Sequence, residues 1–124
     1  MSRDAADRAP DDRFLDIVAG RAPATIVHAD DLVVAFEDIA PVAPVHVLVV
    51  PRVRYVDVTE LARAAPATLA RLVEVAQQVA DERCGGEFRL VFNTGWGAMQ
   101  RVFHVHGHVL GGSDFHWPPA AFAR

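Results

Sequence analysis

RVFHVHGHVLGG, residues 101–112, places three of the chain's six histidines, His104, His106 and His108, at alternate positions of one short apolar run. Alternation is the period of a β-strand, whose successive side chains point to opposite faces. The run predicts a strand with Val102, His104, His106, His108 and Leu110 on one face and Phe103, Val105, Gly107 and Val109 on the other. The second set reads as core. The first projects three imidazoles in a row, about 6–7 Å apart from the strand rise. Taken alone, these residues leave three uses open. They can be polar groups on a half-exposed strand, or they can bind zinc, which takes neutral imidazole nitrogens. In the third use one imidazole attacks phosphorus while an acceptor holds its other ring nitrogen and its neighbours stabilise charge and move the proton. Gly111-Gly112 supplies backbone able to approach phosphate oxygens.

The rest of the chain builds a sheet around this strand. Asp11 or Asp12 is a candidate N-cap for a short helix with Phe14, Ile17 and Val18 at helical spacing, stopped by Gly20 and Pro23. ATIVHA (24–29), DLVVAFED (31–38) and VHVLVVP (45–51) read as three strands with short connections. Thr59-Glu60 caps a helical turn, and Pro66 opens a longer helix whose apolar stripe is Leu69, Leu72, Val73, Ala76, Val79 and Ala80, ended by Gly85-Gly86. EFRLVFN (87–93) is a fourth strand, TGWGAMQ (94–100) a loop, and 101–112 the fifth strand. Strands and helices do not alternate as in a parallel doubly wound sheet, so the expected fold is α+β, a five-stranded antiparallel sheet with two main helices.

Composition excludes much chemistry. With 124 residues the chain is sized for one domain, and no apolar run approaches the roughly 20 residues that span a bilayer. The opening MSRDAADRAPDDR has no apolar block of a targeting peptide, so a cytoplasmic location is expected, with 1–13 a flexible polar tail, 14–119 the domain and 120–124 a C-terminal extension. A single cysteine, Cys84, excludes an internal disulfide and reads as a small buried residue at a helix end. The net charge of −4 gives no general attraction to a nucleic-acid polymer. All twelve basic residues are arginine, and no GxxxxGK[ST] loop or GxSxG serine occurs, which leaves histidine as the leading nucleophile.

HVHGHVLGG resembles the motif of the histidine-triad family, His-apolar-His-apolar-His followed by two apolar residues. HWPP (116–119), LVFNTG (90–95) and FLDIVAGRAPATIVHADDLVVAFEDIAPVAPVHVLVVP (14–51) are similar to its nucleotide-binding phosphoramidase branch, so the likeness covers residues 14–119. The resemblance implies a metal-free homodimer without cofactor, bound to no membrane, that takes purine nucleotides or their conjugates and cleaves a bond to the α-phosphorus of phosphoramidates or acyl-nucleotides. By the family pattern His106 is the nucleophile that becomes nucleotidylated, His104 and His108 flank it, His108 helps the leaving group take a proton, and His46 supports the triad. Asp38 matches the acid that holds the ribose hydroxyls, with Glu37 beside it where a histidine is common. Phe14, Ile17 and Ile39 match the walls around the base, and Asn93 and Gln100 the polar residues near phosphate. Alternatives of other kinds are a non-catalytic nucleotide-binding regulator and a dinucleoside polyphosphate hydrolase.

Four further positions depart from the pattern. Gly107 stands at an apolar position of the motif, which either leaves the core face short of a side chain or permits a close backbone approach. Arg101 stands where the branch has a small hydroxyl residue; it can clamp phosphate, bind an acidic leaving group, or be a solvated charge ahead of the strand. Trp96 and Met99 replace small residues in the preceding loop, narrowing the leaving-group side.

Overall fold

The computed structural model describes residues 11–118. Its element order is α1 (Arg13–Val18), β1 (Ile26–Ala29), β2 (Val33–Glu37), β3 (Val45–Pro51), α2 (Val58–Ala64), α3 (Pro66–Cys84), β4 (Phe88–Val91) and β5 (Gly107–Gly111), with a 3-10 turn at Trp96–Ala98. The five strands form one antiparallel sheet in the order β1-β2-β3-β5-β4. Most of the expected tail and the expected extension at 120–124 lie outside the described residues. Arg13, placed in that tail by the sequence, is the first residue of α1.

Strand parity divides the molecule into two faces. Val33, Ala35, Val47, Val49 and Val109 pack against Leu72, Val75, Ala76, Val79 and Ala80 of α3, with Leu61 of α2 in the same cluster. On the other face Val34, Phe36, Leu48 and Val50 meet Phe14 of α1 and Val102. The stripe of α3 differs from the expected one at two positions. Val75 is fully buried and Val73 is 45% exposed, because Val73 lies about a quarter turn from the centre of the stripe that Leu72, Ala76 and Val79 define.

Local chemistry accounts for the connections. Asp30 Oδ1 accepts the N–H groups of Leu32 (2.8 Å) and Val33 (3.0 Å) and shapes the β1–β2 turn. The cap of α2 is Asp57, whose side chain accepts Glu60 N–H at 2.9 Å, and not Thr59. Asp12 is the N-cap residue of α1 but makes no capping bond; Asp11 Oδ1 accepts Arg13 N–H instead. Gly85, in the left-handed region at φ +70°, ends α3, and Cys84 before it is half-buried.

The largest departure from the sequence reading is the length of the last strand. Expected over 101–112, it pairs only over Gly107–Gly111, and residues 101–106 run outside the ladder. The β3–β5 register ends at Val49↔Gly107. Beyond it Pro51 has no N–H to offer, and its carbonyl accepts the His104 imidazole instead. Val105 N–H turns to the carbonyl of Tyr55 at 2.7 Å.

Candidate active site

The face covered by α1 holds a cleft of about 470 Å³, a size ordinary for a small-molecule site. Residues of α1, the Ala22–Ala24 segment, the end of β2, Leu48 and Val102 line it, and His106 and His108 sit in its wall. Its polar members include Asp38 and Glu37; its apolar ones include Phe14, Ile17, Phe36 and Ile39. Ile39 is 99% exposed at the rim, in contrast to Phe14 at 4%.

The three histidines of the motif do not form a row of equal side chains. His104 is fully buried and its Nε2–H donates to the Pro51 carbonyl at 2.8 Å. It does not line the cleft; its ring meets Phe14 edge to face, with the ring centres 5.8 Å apart. His106, at the entry to β5, donates Nδ1–H to the carbonyl of His104 at 2.9 Å, which leaves its Nε2 as the nitrogen with the free lone pair. His108 lies on β5 one register step from His46 on β3, since Leu48 pairs with His108 and His46 with Leu110. Their rings meet through His46 Nε2 and His108 Nδ1 at 2.9 Å.

A backbone group sets the direction of that bond. Val42 N–H donates to His46 Nδ1 at 3.1 Å, so neutral His46 carries its proton on Nε2 and donates it to His108 Nδ1. His108 in turn carries its proton on Nε2, a buried atom with no hydrogen-bond partner among the described residues. A lone pair on His106 and an N–H on His108 thus stand side by side, their ring centres 5.0 Å apart.

Burial keeps the imidazoles neutral. Desolvation lowers the pKa of His104, His106 and His108. It takes His108 to about 4, helped by repulsion from His106 and His46. The site therefore holds unprotonated imidazole nitrogens at neutral pH, a form able to attack an electrophile.

Asp38 has one oxygen on Ala40 N–H at 2.8 Å and the other 3.4 Å from His46 Nε2. Asp38, His46 and His108 bring ligand atoms within 4.8 Å of one another, and of the described residues these three could hold a cation. His104 and His106 do not belong to that group.

Other expected residues lie elsewhere. The Gln100 side chain is buried in the scaffold: Oε1 accepts Gly95 N–H, and Nε2 donates to the Val56 and Val102 carbonyls. Asn93 is half-buried and does not line the cleft. Arg101 folds back on its own loop, with Nη1 donating to the Trp96 and Gln100 carbonyls and the guanidinium 4.4 Å from the Trp96 ring centre. Glu37 lines the cleft and pairs with Arg83 of α3 at 3.4 Å. Neither glycine of Gly111-Gly112 faces the cleft; a Cβ on Gly111 would meet Cys84, and one on Gly112 would meet Pro44. At Gly107 the space of a side chain is taken by Leu90, 2.9 Å from a built Cβ, and by Phe92 at 3.1 Å.

Sequence reasoning missed Phe36, Leu48, Asp16 and Arg13 as cleft residues. Phe36 and Leu48 were within reach, because strand parity puts Leu48 on the face of His46 and the β2–β3 register sets Phe36 opposite Leu48. No sequence signal separates Arg13 from the polar run before it.

Comparison with known proteins agrees with this architecture. The chain is 41% identical over 110 residues to the adenylylsulfatase HINT1 of Arabidopsis thaliana, covering 86% of this chain and 74% of that protein. It is 38% identical over 101 residues to the purine nucleoside phosphoramidase of Escherichia coli K12, covering 80% and 85%. A HIT family hydrolase from Legionella pneumophila superposes with a TM-score of 0.81 at 37% identity, covering 86% and 97%. Residues 19–115 match the HIT domain, and the chain belongs to that family.

Proposed function

We propose that this protein is a purine nucleotide-binding hydrolase or transferase, acting on nucleoside phosphoramidates or acyl-nucleotides through a covalent nucleotidyl-His106 intermediate. The observation that carries the reading is the fixed pair in the cleft wall: the free Nε2 lone pair of His106 beside the unpartnered Nε2–H of His108. The named relatives support it, one being a purine nucleoside phosphoramidase and another an adenylylsulfatase.

In the first step His106 Nε2 attacks the α-phosphorus, a P–N bond forms, and the bond to the leaving group breaks with its electrons. A carboxylate departs as the anion. A departing amine takes a proton from solvent by way of the His108 Nε2–H, whose ring is held through His46. In the second step water attacks the phosphorus, the bond to His106 breaks, and the proton released by the water returns to solvent by the same ring. Asp38 at the rim is set to accept hydrogen bonds from ribose hydroxyls, and Phe14, Ile17 and Ile39 to face the base. Gln100 and Arg101 act on the phosphate through the loop they hold and not by direct contact. We assign the protein as a homodimer; β4 is an edge strand of the sheet and supports this. No helix among the described residues is long and apolar enough to cross a membrane.

Steady-state hydrolysis of adenosine and guanosine phosphoramidates tests the function. Turnover should fall by about a thousandfold or more in His106→Ala and persist in the presence of a chelator. Loss of activity with the chelator and its return with zinc would favour a cation on Asp38, His46 and His108 instead.

A further inference from the structure

The charges of the cleft are unevenly distributed. Three carboxylates, Asp16, Glu37 and Asp38, line it, and Arg13 is the one arginine that does so among the described residues. His106 and His108 contribute no positive charge at neutral pH, because burial holds both imidazoles below their ordinary range. A phosphate entering such a cleft meets formal negative charge on the walls and needs a cation close by.

The neighbouring arginines are otherwise engaged. Arg54 Nη2 is held by the Asp11 carbonyl and by Asp12 Oδ1, and Arg101 by its own loop. Arg21 and Arg83 are paired with Asp16 at 3.0 Å and Glu37 at 3.4 Å, which partly neutralises those two acids but puts neither guanidinium on the cleft wall. Arg13 differs from them. Its side chain is 64% exposed, its ion pair is a long one of 3.4 Å to Asp11 two residues away, and its positive charge is felt at His106. An exposed pair of that kind holds a side chain weakly, so the guanidinium is free to leave Asp11 for a better partner.

We propose that Arg13 turns onto the phosphoryl oxygens of a bound nucleotide and is the side chain by which this cleft distinguishes a nucleotide from its nucleoside. The proposal rests on the nucleotide reading above. Arginine suits the task because its planar fork meets two phosphate oxygens together. With Arg13 engaged there, the charge repelling the attacking lone pair of His106 is also reduced.

Calorimetric titration of AMP, GMP, adenosine and guanosine into wild type, Arg13→Leu and Arg13→Lys tests it. Wild type should bind the nucleotides more tightly than the nucleosides. Arg13→Leu should lose about tenfold or more of nucleotide affinity, the scale of one charge-assisted hydrogen bond, with nucleoside affinity unchanged. Arg13→Lys should retain part of it. Unchanged nucleotide affinity in Arg13→Leu would overturn the proposal, and so would an equal loss for nucleotide and nucleoside, which would assign Arg13 to the wall around the base. Wild type that binds none of the four would remove the nucleotide reading itself.

Discussion

His104, His106 and His108 are two residues apart, yet each ends in a different environment, decided by where its ring nitrogens find partners. A buried carbonyl takes His104, a carbonyl fixes the tautomer of His106, and His46 fixes that of His108. The alternation that marks these residues as a set is plain in the sequence; their inequality is not, because it depends on Pro51 and Val42, which come from β3 and the loop before it. Removal of the relay should expose this division. His46→Ala leaves His108 Nδ1 without its donor and should lower kcat about a hundredfold while KM changes little, a split that steady-state kinetics reads directly.

The same burial sets a pH dependence. With His106 and His108 shifted down, the acid limb of kcat/KM should lie below the ordinary histidine value near 6.5, as a pH–rate profile will show. Stability follows the same sign. Unfolded His108 binds a proton near its ordinary pKa, whereas the folded residue binds it only near 4, so its contribution is complete above about 6.5 and is lost as pH falls through that window.

Strand parity made most of the elements legible, and packing decided where they end. The sheet, the long helix and the two faces follow from period-2 and period-3.6 patterns, but the shortening of β5 required knowing that Pro51 lies opposite its first half. Gly107 illustrates the limit from the other side. Its missing side chain left either a deficit or a close approach open, and Leu90 and Phe92 of the neighbouring strand segment fill the space. Gly107→Leu should therefore destabilise the fold by about 1–3 kcal/mol through overpacking, and Leu90→Ala in the same chain should recover part of that loss in denaturant titration.

The hold on α1 is likewise a tertiary feature. This six-residue helix lacks a side-chain cap, and Arg54 from beyond β3 grips its leading residues Asp11 and Asp12. Arg54→Ala should loosen α1, and with it the packing of Phe14 on His106 at 4.9 Å. Enhanced amide exchange confined to α1 would report that loosening.

Across the whole molecule the sheet separates stability from chemistry. One face is closed by α3 over a continuous apolar core, and a Leu72→Ala change there should cost about 2–5 kcal/mol without altering the active-site pH profile. Among the described residues the helix on the other face is the short α1, which leaves room for the cleft and for neutral imidazoles at its wall. The lining of the cleft by His106, His108, Asp38 and Phe14 was legible in the sequence, whereas Gln100 and Arg101, equally prominent there, are absorbed by the loop that carries them.

In the proposed reaction His106 Nε2 bonds to phosphorus during turnover. Rapid quenching of wild type with an acyl-adenylate, followed by peptide mass spectrometry, should find one adenylyl group on the peptide carrying His106 and none in His106→Ala, whose turnover should be lower by about a thousandfold or more. Sustained turnover by His106→Ala, or an adduct on another residue, would contradict it.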